Sequence, residues 1–204
     1  MNIRDRVLAR PSVYRTFKRI VLPSGALERV VANHYTVPDG AAVLDLGCGF
    51  GDYARFFSQR CTYVGIDHNA DYIDTARRLN NPGSGIFLVA DVTDDIVEQH
   101  GPFDLVMISG VLHHLADDVV EQLAENVAGL LKPGGRFVAI EPVFDPEQRL
   151  TARLLIAADR GRHVRDSAGY RALLASHFGE VDTMTATGLL RIPYTHLVIT
   201  ATSP

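Results

Sequence analysis

The stretch from Val43 to Gly51, VLDLGCGFG, constrains the fold of this chain more than any other part of the sequence. A short apolar run that carries a carboxylate at Asp45 leads directly into alternating glycines. Glycine has no Cβ, so it adopts positive φ angles easily and lets a ligand approach the main chain closely. This pattern is typical of a strand, a tight turn and a helix at the edge of a parallel α/β sheet, where nucleotide-like ligands bind.

The carboxylate of Asp45 indicates which kind of nucleotide fits the turn. A pyrophosphate would be repelled by a nearby carboxylate, whereas a ligand that carries an ammonium and a sulfonium would be attracted. The turn therefore favours an adenosyl-sulfonium compound over a dinucleotide.

Downstream of the turn, short apolar strands alternate with amphipathic helices, which predicts a parallel sheet covered on both faces. The predicted strands are 42–46, 63–67, 85–90, 103–109 and 135–141, and the predicted helices are 51–59, 71–80, 94–99 and 117–131. A helix over 167–177 and two closely spaced strands near 180–187 and 194–201 follow, and these two strands can pair antiparallel.

Size, charge and cysteine content narrow the class of protein. At 204 residues the chain has the length of one domain, and its formal charge of −4 gives no electrostatic reason to expect a nucleic-acid partner. The sequence lacks the roughly 20-residue apolar run of a membrane span, so we predict a cytoplasmic protein without a membrane partner. Neither the two cysteines nor the adjacent histidines have the spacing of a metal site, so no metal is expected.

Two further acids end the next two predicted strands, Asp67 after YVGID and Asp91 after LVAD. A carboxylate at the end of the second strand can accept hydrogen bonds from both hydroxyls of a ribose, which makes Asp67 the predicted ribose ligand. Each acid taken alone fits a helix N-cap equally well. Three acids at successive strand ends, where open α/β sheets bind ligands, favour a binding site.

The segments DLGCGFG, from Asp45 to Gly51, and ISGVLHHL, from Ile108 to Leu115, resemble the first and fourth motifs of class I S-adenosylmethionine-dependent methyltransferases. The resemblance implies a doubly wound, Rossmann-like α/β fold with a seven-stranded, mostly parallel sheet, an antiparallel last strand and helices on both faces. It also implies S-adenosyl-L-methionine as cofactor, S-adenosyl-L-homocysteine as product, and Asp91 as the partner of the adenine amine. The predicted cofactor-binding residues are Asp45, Gly47, Cys48, Gly49, Asp67, His68, Asp91, Val92, Ser109 and Gly110.

The histidines of the fourth motif, His113 and His114, are the candidate catalytic residues. An imidazole has a pKa near 6.5 and can take a proton from a hydroxyl or amine acceptor at neutral pH. The alternative is structural, because either ring can simply pack against the loop or hydrogen-bond to it.

Substrate residues are predicted outside the core. Six arginines against three acids between Glu147 and Arg171 give a local positive excess, so Arg162 and Arg165 are predicted to hold an anionic substrate. A solvated charged segment is the alternative. Tyr14 is predicted to lie in a lid, and Glu141 either orients the substrate or caps a turn.

These observations predict a single methyltransferase domain over 1–204, with an N-terminal helical cap or lid (1–38), a cofactor-binding core (39–142) and a substrate-side insertion with closing strands (143–204). The predicted partner is a small-molecule methyl acceptor with an oxygen, nitrogen or carbon nucleophile. The resembling adenine and cytosine methyltransferases have an Asn/Asp-Pro-Pro-aromatic motif after the fourth strand, where this chain has Ser109-Gly110-Val111-Leu112. The aromatic stacking face is therefore absent, which disfavours nucleic acid as the substrate. Two alternatives remain: a cofactor-binding protein with a non-methylating reaction, and a noncatalytic partner subunit.

Overall fold

The computed structural model describes residues 20–158 and 161–203, and seven strands of this part form one sheet. The strands are β1 (Ala42–Leu46), β2 (Thr62–Asp67), β3 (Ile86–Val89), β4 (Phe103–Ser109), β5 (Leu131–Pro142), β6 (Glu180–Thr187) and β7 (Thr195–Thr202). Their order across the sheet is β3-β2-β1-β4-β5-β7-β6. Strands β1 to β5 pair in parallel, and β7 runs antiparallel to both β5 and β6. The predicted doubly wound, Rossmann-like sheet is therefore confirmed.

The described helices are α1 (Ala26–His34), α2 (Ala54–Phe57), α3 (Ala70–Leu79), α4 (Asp95–Glu98), α5 (Asp117–Leu130), α6 (Leu150–Ala157) and α7 (Ser167–Leu174). A short 3₁₀ turn, Leu112–His114, follows β4. None of the helices in residues 20–158 and 161–203 is both long and apolar enough to cross a membrane.

Side-chain alternation along the strands builds two cores, one on each face of the sheet. On β1, Leu44 and Leu46 enter the core that contains α5 and α7, while Val43 enters the core that contains α1 and α3. Asp45 alternates with these leucines, so its side chain belongs to the α1 side of the sheet. The carboxyl ends of β1, β2, β3 and β4 meet at one edge, where this fold binds ligands.

Several predicted elements differ in extent, and two of these differences occur at glycines. The helix after the glycine turn covers only Ala54–Phe57. Gly51 has a φ of 70°, which is not a helical angle, so residues 51–53 form a turn before the helix begins. Strand β5 begins at Leu131 rather than Gly135, and an irregularity in the β4–β5 register absorbs the glycine pair.

Helix α6 was not predicted, and its side-chain pattern explains why. Leu150 and Leu154 are 78% and 70% exposed, while Ala152 and Ile156 are buried. Because apolar residues lie on both the exposed and the buried face of this helix, the sequence lacks the alternation of polar and apolar faces from which a helix is predicted. The proposed division into a cap, a core and an insertion stays a prediction, and Tyr14 lies outside the described residues.

Candidate functional site

The glycine turn after β1 is built for close approach to its main chain. Gly47 and Gly49 have φ angles of 68° and 56°. A Cβ on Gly47 would come within 2.9 Å of the Val111 side chain, whereas the space above Gly49 is open for 4 Å. Cys48 anchors the turn, since its N–H donates to Ile66 O at 3.0 Å. The turn therefore has a fixed path, with Gly47 exposed and with room beside the half-buried Gly49.

A cavity of about 240 Å³ adjoins this turn at the carboxyl ends of β1, β2 and β4. Its walls are largely apolar, with acids, amides and a histidine placed among them. The lining residues are Leu46, Gly47, Ile66, Asp67, His68, Ala90, Asp91, Val92, Thr93, Ile108, Val111, Leu115, Val119, Gln122, Leu123 and Asn126. Five predicted cofactor residues thus share one cavity: Gly47, Asp67, His68, Asp91 and Val92.

Asp67 joins the turn to the end of β2. Its Oδ2 accepts the N–H of Gly49 at 3.1 Å, and its Oδ1 accepts the N–H of Asn69 at 2.9 Å. Asn69, not Asp67, caps helix α3, because its side chain accepts the N–H groups of Asp71 and Tyr72. Asp67 therefore does not act as the helix N-cap, which was the alternative to a ligand-binding role. Its neighbour His68 is 93% exposed at the cavity rim.

Asp91 is an exposed carboxylate in the same cavity. Its own N–H donates to Asp94 Oδ2 at 2.8 Å, and the N–H of Thr93 lies 3.5 Å from its Oδ1. Asp94 is the residue in the N-cap position of α4. The carboxylate of Asp91 therefore has little structural use and remains open to a ligand, with half-buried Val92 beside it.

Asp45 lies on the opposite side of the sheet from this cavity. It is 3% exposed, and its Oδ2 accepts the hydroxyl of Tyr63 at 2.6 Å. Cys48 is also buried, and its Sγ would touch a Cβ on Gly65. Burial raises the pKa of the Cys48 thiol. The prediction that Cys48 contacts the cofactor needs correction, because its N–H, its carbonyl and its side chain all face the protein.

Ser109 and Gly110 end β4 on the exposed side of the turn. Gly110 has a φ of 69°, and its N–H donates to Ile140 O at 2.9 Å. Neither residue lines the cavity, so a ligand that touched them would have to extend across the strand ends from the cavity toward Asp45.

Glu141 is the most heavily bonded acid of the region, and its contacts are those of a turn cap rather than of a substrate ligand. Its side chain has no solvent exposure. Oε1 accepts the N–H groups of Val111 and Leu112 at 2.9 and 3.0 Å, and Oε2 accepts the N–H of His113 at 3.3 Å. Glu141 holds the 3₁₀ turn of the fourth motif in place and has no surface for a substrate.

The two histidines of this turn have different surroundings. His113 is buried, and its Nδ1 lies 2.7 Å from Glu141 Oε2. Because a carboxylate only accepts hydrogen bonds, this contact assigns the hydrogen of the neutral ring to Nδ1. His114 is exposed, and its ring centroid lies 4.0 Å from that of His113.

The segment 161–165 packs directly on His113. A Cβ on Gly161 would come within 2.0 Å of His113 Cδ2, and the N–H of His163 donates to His113 O at 3.0 Å. Arg165 donates to Leu112 O at 3.2 Å and to Leu115 O at 2.8 Å.

The prediction that Arg165 clamps a substrate therefore needs correction. Its guanidinium is also paired with Asp117 and donates to His163 O, and the side chain is only 10% exposed. These contacts use the guanidinium to bind the insertion to the turn after β4. Arg162 is exposed, and it stays a candidate for an anionic ligand.

Sequence reasoning missed two residues of this region. Gln122 and Asn126 line the cavity from α5. Their spacing with Val119 and Leu115 follows one helical face, a signal that the sequence contained.

Comparison with known proteins finds similarity to methyltransferases in sequence and in fold. Residues 43–135 match a sequence family described as a methyltransferase domain. The chain is 30% identical to an uncharacterized methyltransferase of Synechocystis over 64% of its own length and 63% of that protein. It is 36% identical to a ubiquinone biosynthesis O-methyltransferase of Xylella fastidiosa over 48% of this chain and 40% of that relative. The chain thus spans less than two thirds of these relatives.

Solved structures share the fold at low sequence identity. A phosphoethanolamine N-methyltransferase of Haemonchus contortus, solved with S-adenosylhomocysteine, has a TM-score of 0.75 at 13% identity, over 98% of this chain and 59% of that one. An S-adenosylmethionine-dependent methyltransferase of Methanosarcina mazei has a TM-score of 0.66 at 19% identity, over 85% and 96%.

Proposed function

We propose that this chain, whose residues 43–135 match a methyltransferase domain, is a class I S-adenosylmethionine-dependent methyltransferase that methylates a small molecule. The carrying observation is the cavity in which Asp67 and Asp91 lie among apolar walls beside an open Gly49 main chain. Such a cavity suits an adenosine group, because apolar walls accept the base while carboxylates accept hydrogen bonds from ribose hydroxyls and the adenine amine.

The residues around the turn also suit the remainder of S-adenosylmethionine. Asp45 offers a carboxylate for an ammonium, and Ser109 and Gly110 present an exposed edge between Asp45 and the fourth motif. In this arrangement the cofactor runs from the cavity across the Gly47 to Gly49 turn. The bound cofactor supplies an activated methyl group on a sulfonium. The predicted cofactor residues Asp45, Gly47, Gly49, Asp67, His68, Asp91, Val92, Ser109 and Gly110 follow this path.

Positioning supplies most of the rate enhancement in this account. A preorganised site that aligns two reactants can contribute about 7–11 kcal/mol of the barrier reduction. Glu141 serves this purpose, because it fixes the main chain of the 3₁₀ turn and the orientation of His113. An acceptor bound above Gly110 would then meet a rigid wall rather than a mobile loop.

We further propose that the two histidines have separate roles. His114 acts as the general base, and His113 is a positioning residue that packs beside it. His114 is exposed and can exchange a proton with solvent, whereas His113 is buried against Glu141. The base is needed only for an alcohol or ammonium acceptor. Substitution of His114 by Gln should then flatten the neutral-pH limb of the rate profile for such acceptors, and a rate profile that keeps its shape would remove His114 from this role.

The acceptor is proposed to be a small and anionic molecule. Arg162 is exposed and adjoins Gly161, which packs on His113, so we assign its guanidinium to an anionic acceptor bound near the fourth motif. Relatives named for O-methylation in ubiquinone biosynthesis and for N-methylation of phosphoethanolamine make phenols and phosphorylated amines the first acceptors to test. Replacing Arg162 by Ala should raise KM for an anionic acceptor and leave KM for a neutral one unchanged.

Turnover provides the direct test of the proposed activity. The protein is incubated with S-adenosylmethionine and a panel of phenols, phosphorylated amines and carboxylates, and S-adenosylhomocysteine is quantified. Stoichiometric S-adenosylhomocysteine and methylated acceptor would support methyl transfer. Conversion of an acceptor without consumption of the cofactor would favour the non-methylating alternative, and tight cofactor binding without turnover of any acceptor would favour the partner-subunit alternative.

A further inference from the structure

Helix α6 presents an apolar surface to solvent. Leu150 and Leu154 are 78% and 70% exposed, the two largest values among the exposed apolar side chains of the described residues. Leu155 beside them is 38% exposed. Single exposed apolar residues are common on protein surfaces, whereas several that adjoin one another indicate an interaction site.

The exposed leucines lie opposite the residues that attach α6 to the protein. Side chains four residues apart share one face of a helix. Leu150 and Leu154 therefore form one row, and buried Ala152 and Ile156 form another row on the opposite side. The buried row faces the protein, where α6 contacts β7. The larger side chains of the outer row are thus available to a partner.

Arginines border the outer row. Arg149 and Arg153, which are also four residues apart, are exposed beside the leucines, and the eight residues of α6 include no acid. The Arg153 guanidinium lies 5.3 Å from the centroid of the Phe144 ring, which keeps its charge close to the helix. Leucines bordered by basic residues are typical of a helix that lies in the interface of a bilayer with anionic lipids.

The distribution of charge along the whole chain favours the same partner. Residues 79–131 contain nine acids and neither lysine nor arginine, although the formal charge of the chain is only −4. The basic residues are therefore concentrated in the rest of the chain, which includes α6. An anionic surface attracts that part and repels the acidic part, so the charge distribution favours an orientation with α6 toward the surface.

We propose that α6 docks the protein on an anionic lipid bilayer, with Leu150 and Leu154 inserted among the lipid chains and Arg149 and Arg153 paired with lipid phosphates. This inference does not depend on the proposed function. It replaces the sequence-based prediction that the protein has no membrane partner, which considered membrane-spanning segments only. A helix that lies in the interface does not need the length of a span.

Two other occupants could cover the leucines, and charge argues against both. In a symmetric dimer formed through α6, Arg149 and Arg153 of one copy would lie near the same arginines of the other copy. The chain's own residues 1–19 contain six basic residues and one acid, so the arginines of α6 would repel that segment as well. An anionic bilayer attracts all of these groups.

Co-sedimentation of the full chain with lipid vesicles tests the proposal. Vesicles of phosphatidylcholine alone are compared with vesicles of phosphatidylcholine and phosphatidylglycerol, each at low and high salt. The proteins are the wild type, the double variant Leu150→Ser/Leu154→Ser, and Arg149→Ala. The matched control is Leu79→Ser/Ile96→Ser, which replaces two exposed apolar residues of α3 and α4.

We expect the wild type to bind only the vesicles that contain phosphatidylglycerol, and to bind them less at high salt, because salt screens the arginines. Leu150→Ser/Leu154→Ser should bind at least about 10-fold more weakly, and Arg149→Ala about 5-fold more weakly. The control should bind within about twofold of the wild type. Similar urea midpoints are expected for all these proteins, since the substituted side chains are exposed.

Absence of wild-type binding to the phosphatidylglycerol vesicles would overturn the proposal, and so would equal binding of the wild type and Leu150→Ser/Leu154→Ser. A lower urea midpoint of this double variant would overturn it too, because the chain itself would then cover the leucines. A wild-type dimer that the double variant dissociates in sedimentation velocity would assign the surface to a second copy instead. Each of these results leaves S-adenosylhomocysteine binding untouched, so a failure of docking is distinct from a failure of the proposed function.

Discussion

The acids at the cavity and the acid under the fourth motif come from equivalent places in the fold, yet the structure uses them in opposite ways. Asp91 and Glu141 each follow or end a parallel strand of the same sheet. The Asp91 carboxylate is exposed and has one weak contact, with the N–H of Thr93. Glu141 accepts hydrogen bonds from three main-chain N–H groups and from His113 Nδ1. A carboxylate that is already satisfied supports the site, and one that is left open binds a ligand.

The same contrast separates the two arginines of the insertion. Arg165 donates to two carbonyls of the turn after β4 and pairs with Asp117. Arg162, in the same segment of the chain, is exposed. Residue type alone does not distinguish a scaffold charge from a ligand charge. The number of internal partners does, and substitutions can measure the difference.

The largest effect is expected for Glu141→Ala. It removes the acceptor of three main-chain N–H groups and of His113 Nδ1, all in a site without solvent, so the free energy of unfolding should fall by about 3–5 kcal/mol. Urea unfolding measures this loss. The exposed acid Glu147 provides the matched control, and Glu147→Ala should change stability by less than about 0.5 kcal/mol. A loss below about 1 kcal/mol for Glu141→Ala would show that the turn does not depend on this carboxylate.

Arg165→Ala should come next, with a loss of about 2–3 kcal/mol. The variant leaves the carbonyls of Leu112 and Leu115 without their donor and removes the pairing with Asp117. Arg162→Ala serves as control and should leave the urea midpoint unchanged. Equal midpoints for both variants would contradict the division between a scaffold arginine and a free one.

Two glycine substitutions should have opposite signs. Gly161→Ala places a Cβ within 2.0 Å of the His113 ring, so the segment must shift and stability should fall by about 1–3 kcal/mol. Gly129 in α5 has open space around its Cα, so Gly129→Ala should raise stability by about 0.5–1 kcal/mol through helix propensity. Thermal unfolding of both variants checks the pair, and a neutral Gly161→Ala would mean that the insertion does not press on His113.

Asp91→Ala should have the smallest effect on folding and a clear effect on binding. Because the carboxylate is exposed and almost unpartnered, unfolding should change by less than about 0.5 kcal/mol. Affinity for S-adenosylhomocysteine should fall about 10-fold, the effect of losing one hydrogen bond in a cavity. Asp95→Ala, outside the cavity on α4, is the control. A destabilised Asp91→Ala with unchanged affinity would reverse the roles assigned to the two classes of acid.

Most of the fold could be predicted from the sequence because apolar residues recur at different spacings in strands and in helices. The glycine turn then marks the first strand and the helix that follows it. All seven strands were anticipated, and the strands β1, β4 and β6 have the predicted limits. The glycine motif, Asp67 and Asp91 could be placed because strand ends in a parallel sheet meet at one edge. These are local signals combined with one rule of topology.

The residues that escaped prediction depend on contacts between distant segments. Glu141 and Arg165 carry the charges of a binding site, and only the structure reveals that the turn after β4 uses them. Partners that are 28 to 53 residues apart, as in these hydrogen bonds, leave no periodic trace in a single sequence.

Calorimetric titration of the wild type and Asp67→Asn with S-adenosylhomocysteine decides whether the cavity at the strand ends binds the cofactor through Asp67. The substitution keeps the shape of a side chain that lines the cavity and holds Gly49, while it removes the charge that the ribose hydroxyls would meet. The account predicts one site of micromolar affinity in the wild type and binding weakened at least about 10-fold in Asp67→Asn, with both proteins folded. Absence of binding to the wild type, or equal affinity in the two proteins, would contradict it.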